Sequence, residues 1–201
     1  MIKNVMIVGQ KWLAAEVFRL CQSLSLQIIA VAVPSLDDRL AIQAGVHRIP
    51  ITCAPKKLTA EDVPDGVDLL ICAHAHCFIT SAARSKATLG AIGYHPSLLP
   101  RHRGRDAVRW AIHMGDKLTG GTVYWLNDKA DGGEIAAQAW CWIRPDDTPD
   151  SLWRRELAPM GLLLFRQVLN DLMSGSVVKI AQDESLVTFE PSFTAQSMKD
   201  A

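Results

Sequence analysis

A chain of 201 residues is long enough to bury about 70 % of the surface that its unfolded form exposes, so no disulfide framework is needed to hold it. With 49 % apolar and 21 % charged residues it is neither a disordered, a collagen-like nor a coiled-coil chain. Lysine plus arginine (21) equal aspartate plus glutamate (21), so no net positive field draws in a nucleic-acid backbone or an anionic membrane, and a dedicated partner of either kind is disfavoured.

Val5 to Val8 form an apolar run of strand length ended by Gly9, and Trp12, Val17, Phe18 and Leu20 follow at spacings that suit one helical face. Residues 26–33, rich in Ile and Val and stopped by Pro34, predict a second strand. Two strands joined through a helix usually lie parallel with a right-handed crossover. Residues 37–44 predict a short helix, 67–73 a buried strand, 80–88 a helix and 90–95 a further strand. This order predicts an α/β protein with an open, doubly wound, mostly parallel sheet of Rossmann-like kind.

After His95 the texture changes. Pro96, Pro100 and Gly104 punctuate a basic stretch, Arg101-His102-Arg103-Gly104-Arg105, which reads as loop. Asp106 is placed to cap a helix running to about Met114, Gly120-Gly121 to open a strand over 122–126, and Asp131-Gly132-Gly133 to form the turn before a strand over 135–142. Thr148-Pro149 has the N-cap and first-turn chemistry of a long helix ending near Gly175, with a kink or break expected at Pro159. The tail beyond reads as two short strands. No repeat or low-complexity linker appears, so residues 1–201 are taken as one domain.

Five cysteines, Cys21, Cys53, Cys72, Cys77 and Cys141, are odd in number and lack a CxxC pair. With no signal-like or membrane-length apolar run, they read as free thiols in a reducing compartment, and a cytoplasmic protein is expected. The first strand-to-helix turn, Gly9-Gln10-Lys11-Trp12-Leu13-Ala14, has a single glycine. GxGxxG and GxxxxGK[ST] are both absent, so NAD, FAD or ATP is not expected there.

His95 falls at the C-terminal end of a predicted inner strand, the edge where open α/β sheets bind ligands, and Pro96 turns the chain off the sheet at once. An imidazole there can serve as acid or base near neutral pH; the plain alternative is a histidine satisfied in a loop or core. Asp131 lies at a tight turn whose two glycines can bring backbone close to whatever occupies the site; the plain alternative is a solvated turn carboxylate. Spacing alone does not place Asp131 beside His95. A carboxylate there would fix the orientation of the imidazole.

These residues sit in blocks that resemble the folate-dependent formyltransferase family, whose pattern runs Asn-x-His-x-Ser-Leu-Leu-Pro, then Arg-Gly, Gly-x-Thr-Val and Asp-x-Gly-x-Ile. Here the pieces are His95-Pro96-Ser97-Leu98-Leu99-Pro100, Arg103-Gly104, Gly120-Gly121-Thr122-Val123 and Asp131-Gly132-Gly133-Glu134-Ile135. Val8-Gly9-Gln10, Met114-Gly115-Asp116-Lys117 and Asp146-Asp147-Thr148 are most similar to the hydrolase domains that begin 10-formyltetrahydrofolate dehydrogenases, and the resemblance runs from Val5 to about Phe193. It implies a formyltransferase fold with a long C-terminal helix and short strands, and 10-formyltetrahydrofolate as formyl donor and substrate, without a metal. His95 and Asp131 are then the catalytic pair. Cys77, Phe78 and Ile79, with Asn127, Asp128, Lys129 and Ala130, are then the folate-binding segments, and Arg103 is the family arginine beside the site. Phe78 and Ile79 read equally well as core, and Arg101, Arg103 and Arg105 as a solvated loop.

One position departs from the family pattern: Gly93 stands where the transferases carry asparagine. Loss of such an oxyanion donor commonly costs about 2.7–4 kcal/mol, and the hydrolase domains share the departure, so water becomes the expected acceptor. His74 and His76, alternate residues at the end of the 67–73 strand, are candidates to replace the donor. With His95 they do not make metal-ligand spacing. Three readings follow: hydrolysis of 10-formyltetrahydrofolate to formate and tetrahydrofolate, formyl transfer to a small amine such as an amino sugar, or a catalytically silent folate-binding module. A homo-oligomer is left open.

Overall fold

The computed structural model describes residues 2–75 and 77–194, so the expectation for His76 lies outside the described residues. The chain forms two compact units, one running to Tyr94 and taking in Phe165–Val177, the other comprising His95–Leu164 and the chain from Val178.

The first unit is the parallel sheet. Its elements are β1 (Asn4–Gly9), α1 (Lys11–Ser23), β2 (Gln27–Val33), α2 (Arg39–Val46), β3 (Ile51–Cys53), β4 (Lys57–Leu58), β5 (Leu69–Ala73), β6 (Phe78–Ile79), α3 (Ser81–Lys86) and β7 (Ala91–His95). β1 lies between β2 and β5, β3 pairs with β2 and β7 with β5, all parallel. From β1 the chain winds outward to β2 and β3, then returns to build β5 and β7 on the other side. This is the reversal that opens a crevice at the C-terminal strand ends of doubly wound sheets. Val5 to Val8 and Leu69 to Ala73 are buried throughout, as strands covered on both faces must be. β4 and β6 pair separately as a two-stranded parallel ribbon.

Gly9 is required by packing: a Cβ there would lie 2.0 Å from the Ala73 carbonyl oxygen and 2.9 Å from the Ala14 Cβ. In the turn after it Asp38 accepts from the Lys11 N–H at 2.9 Å while also capping α2 through the Leu40 N–H at 2.9 Å. The cap therefore moves the start of α2 two residues beyond the expected boundary. α3 likewise begins after Thr80, whose hydroxyl accepts from the Ala83 N–H, and stops at Lys86. All five cysteines are free. Burial pushes the Cys21 thiol up to about 12 and Cys77 up to about 11, so neither is a nucleophile at neutral pH.

The segment entering β5 is tied to the chain start. Asp68 Oδ2 accepts from the N–H groups of Lys3 (2.7 Å) and Asn4 (2.9 Å), and the Asn4 bond above all holds this carboxyl below its usual range. A carboxyl depressed in the folded state stabilises fully above its unfolded value and loses that contribution as pH falls through the folded one. Asp68→Asn should therefore lower stability at pH 7 by about 1 kcal/mol, solvent screening included, in urea titrations. The gap from wild type should close as pH drops below about 4; a gap independent of pH would refute the assignment.

The second unit contains α4 (Ala107–His113), β8 (Leu118–Trp125), β9 (Ile135–Trp142), α5 (Pro149–Leu152) and the start of α6 (Ala158–Met173). β8 and β9 form an antiparallel pair with Leu118 opposite Trp142. β8 begins four residues earlier than expected, and Gly120 and Gly121 lie within it opposite Trp140 and Ala139, held by the ladder rather than by propensity. Thr148 caps α5 in a box with Ser151, with Pro149 at the first helical position. The disturbance expected at Pro159 is a π turn over Trp153–Leu157, between α5 and α6. Pro159 has no N–H for the Arg155 carbonyl, and the wider turn accommodates its ring without ending the helix. Cys141, Leu152 and Leu157 pack there with Val108, Ile112, Ile143, Trp153 and Met160.

Two expectations are corrected. Asp106 precedes α4 in a left-handed conformation (φ 60°) without capping it, and its carboxylate accepts from the Phe193 N–H at 3.1 Å instead. The tail forms a 3-10 turn over Glu184–Leu186 and single bridges, Ile180 to Ile135 and Phe189 to Arg103, in place of two strands. Among the described residues its backbone groups pair one at a time with scattered partners, Thr188 with Arg103 and Pro100, Ile180 with Ile135, and the Val178 and Pro191 carbonyls with the Trp125 and Trp110 side chains, so no continuous ladder forms. None of the described helices is long and apolar enough to cross a membrane.

Candidate functional site

His95 ends β7, and the loop that follows is pinned to β8 and β9 by the buried Thr122 and the more exposed Gln138. The Thr122 hydroxyl donates to the Ser97 carbonyl (2.7 Å) and accepts from the Leu99 N–H (3.2 Å), and Gln138 Nε2 donates to both Thr122 Oγ1 (2.8 Å) and the Leu99 carbonyl (3.0 Å). Ser97 Oγ closes the loop on the Arg101 carbonyl at 2.6 Å. The polar residues of the Ser-Leu-Leu-Pro and Gly-x-Thr-Val blocks thus fold onto one another.

His95 is 6 % exposed. Its Nε2 lies 2.6 Å from the His102 carbonyl oxygen, and since a carbonyl only accepts, Nε2 carries a hydrogen there. Nδ1 faces Asp131 Oδ2 at 3.6 Å, an ion-pair separation rather than a direct hydrogen bond. With Nε2 committed, Nδ1 is the ring nitrogen left facing the carboxylate. His102 is itself anchored, with Nε2 2.9 Å from Asp116 Oδ2 and Nδ1 3.1 Å from Glu190 Oε1, the latter without hydrogen-bond alignment. Arg101 binds the same Asp116 carboxylate at 2.9 and 3.0 Å.

Asp131 sits at φ +50°, at the end of the loop between β8 and β9. Its Oδ1 accepts from the Tyr124 hydroxyl (2.7 Å) and its Oδ2 from the Gly104 N–H (2.8 Å), two donors that hold the carboxylate in place. The glycines beside it do something other than expected. A Cβ on Gly133 would meet the Trp125 carbonyl oxygen at 1.6 Å, so this glycine lets the turn close on its own hairpin. Asn127 shapes the same turn, accepting from the Lys129 N–H (2.8 Å) and donating to the Gly132 carbonyl (3.1 Å).

The structure thus brings His95 and Asp131 together. Asn127, Asp128, Lys129 and Ala130 are exposed on the loop that leads into Asp131. Cys77, Phe78 and Ile79 belong to the first unit, Cys77 half-buried, Phe78 56 % exposed on β6 and Ile79 buried. Arg103 is 5 % exposed, so the solvated-loop reading fails for it while holding for Arg105; Gln182 and Glu184 take its guanidinium. Gly93 is buried in β7 opposite Cys72. His74 follows β5 at φ +55°, and burial lowers its pKa, which leaves the ring neutral at pH 7. Among the described residues no group of three or more His, Cys, Asp or Glu side chains is placed to hold a metal. Tyr124, the Gly104 N–H and the His102 carbonyl are site groups that the sequence reading missed. Strand alternation from Thr122 puts Tyr124 on the same face and could have found it.

Residues 6–168 match the family model for formyl transferases. The chain is 32 % identical over 197 residues to human mitochondrial 10-formyltetrahydrofolate dehydrogenase, covering 92 % of this chain and 21 % of that protein. It thus spans about a fifth of the length of the first curated relatives it matches. Phosphoribosylglycinamide formyltransferase from Bacillus halodurans shares its fold at 21 % identity and a TM-score of 0.72, over 86 % of this chain and 96 % of that one. An N-formyltransferase from Helicobacter canadensis, solved with folinic acid and dTDP-3-aminofucose, does so at 17 % identity and 0.78, over 98 % and 72 %.

Proposed function

The chain is a member of the formyl transferase family, and on that premise we propose that it removes the formyl group of 10-formyltetrahydrofolate and passes it to water. The reading rests on one arrangement, a His95 imidazole with Nε2 tied to a carbonyl and Nδ1 turned to a carboxylate held by two further donors. Residues 1–201 act as one catalytic domain. Asp131 orients the attacking water and draws its proton as oxygen adds to the formyl carbon. The bond from that carbon to N10 then breaks, and N10 takes a proton delivered through His95 Nδ1. One water is consumed; one of its protons ends on N10, the other is released, and formate and tetrahydrofolate leave. Cys77, Phe78, Ile79, Asn127, Asp128, Lys129, Ala130 and Arg103 belong to the folate-binding surroundings in this reading.

Water as acceptor is supported by Gly93, which offers no side-chain donor where the transferases carry asparagine, and by the 32 % identity to a 10-formyltetrahydrofolate dehydrogenase. The test follows a labelled formyl group. Purified protein incubated with labelled 10-formyltetrahydrofolate should release the label as formate, at the same rate whether or not amino sugars are present. Label in a formamide product would replace water by an amine, and tight folate binding without turnover at any pH would leave only a binding module.

A further inference from the structure

We propose that Gln182 is a positioning residue that, together with Arg103, sets the place of the Asp131 carboxylate. This rests on the assignment of Asp131 to the proton-transfer pair. Gln182 Nε2 donates to the Asp131 carbonyl (2.8 Å) and the Gly133 carbonyl (2.6 Å), while its Oε1 accepts from Arg103 Nε (3.0 Å) and Nη2 (2.7 Å). Both amide hydrogens and both oxygen lone pairs are used, so the amide has one orientation: turned over, it would set its N–H groups against a guanidinium and its oxygen against two carbonyls. Glu184 holds the other side of the guanidinium at 3.1 and 3.4 Å.

The bonds close a ring. From the Arg103 side chain the path runs through Gln182 to the Asp131 backbone, along Asp131 to its carboxylate, across to the Gly104 N–H at 2.8 Å, and back by one peptide link to Arg103. Asp131 is thereby held at both ends from a single dipeptide. The hold matters because φ +50° is a left-handed conformation that costs an L-residue about 1 kcal/mol or more, less for aspartate than for most, so contacts that fix the turn help to keep it. Without Gln182 the turn relaxes, and Oδ2 drifts from its position 3.6 Å from His95 Nδ1.

Gln182→Glu separates positioning from simple support. Glutamate still accepts from Arg103, as a full ion pair, but sets an oxygen against the two carbonyls that the amide had held. The variant should stay folded, melting somewhat lower because two carbonyls lose their donor, and keep its KM to within about threefold, yet lose about 10- to 100-fold in kcat, the usual consequence of a misplaced catalytic group. The nitrogen-15 signal of His95 Nδ1 should shift with it. Should the glutamate variant not fold, Gln182→Met, similar in length and without hydrogen-bonding groups, is expected to show the same kcat loss. Wild-type kcat and an unmoved His95 signal, where Asp131→Asn has lost turnover, would overturn the role of Gln182 and leave the catalytic pair standing. If Asp131→Asn itself turns over normally, the pair fails and this role falls with it.

Discussion

Replacing His95 by glutamine should lower turnover of 10-formyltetrahydrofolate by about 10²–10⁴-fold, the usual contribution of a positioned acid or base, while a non-reactive folate analogue binds within about threefold of wild type. Glutamine is the informative choice because its amide nitrogen reaches about as far as imidazole Nε2. It can keep the bond to the His102 carbonyl, which His95 makes at 2.6 Å, while offering no titrating atom toward Asp131. Alanine removes both at once. It leaves a buried carbonyl without its donor, at about 1–3 kcal/mol, so His95→Ala should melt below His95→Gln although both are inactive. Rapid-quench measurement of formate release, beside calorimetric binding of the analogue, separates chemistry from affinity. Glutamine turnover at the wild-type rate would mean that the imidazole carries no proton in the reaction.

The parallel half of the fold was legible because strands buried on both faces read as unbroken apolar runs. β1 and β5 lie where Val5 to Val8 and the 67–73 segment announced them, and the following residues, Gly9 and His74, break the runs. β3, β4 and β6 escaped because two or three residues carry no periodicity. The tail was misread in the other direction. Two short strands were expected after Gly175, but among the described residues only single bridges form there, while Trp125 Nε1 donates to the Val178 carbonyl. At the Pro159 disturbance the chemistry was readable and its form was not: a missing N–H announces a defect without saying whether the helix bends, ends or widens.

The site shows the same division. The end of β7 and the Pro96 beside it mark His95 from local sequence, and the glycine pair marks the Asp131 turn. Their meeting depends on tertiary contacts, so it was reachable only through the resemblance. Arg103 was the harder case. A basic run in a loop is normally solvated, and nothing near it in sequence signals that Gln182 and Glu184, about eighty positions on, complete its hydrogen bonds. Polar side chains advertise that they need partners and not which ones they find.

Asp131→Asn should be almost as damaging as the loss of His95, and it isolates charge from geometry. Oδ2 accepts from the Gly104 N–H, which cannot reverse its role, whereas Oδ1 faces the Tyr124 hydroxyl, which can donate or accept. Asparagine therefore settles with its NH₂ toward Tyr124 and its oxygen toward Gly104 and His95, and the turn keeps its shape. What disappears is the negative charge 3.6 Å from Nδ1. At an effective dielectric of about 20, that charge would interact with an imidazolium formed during the reaction by about 4–5 kcal/mol, part of which desolvation cancels. The loss in kcat should accordingly lie between about 10- and 10³-fold, with KM little changed. Asp131→Ala should lose at least as much and also release the turn, so its urea midpoint should fall while that of Asp131→Asn stays near wild type. Asparagine with full turnover would show that the carboxylate acts by holding the loop alone, and would transfer the handling of the water proton to another group.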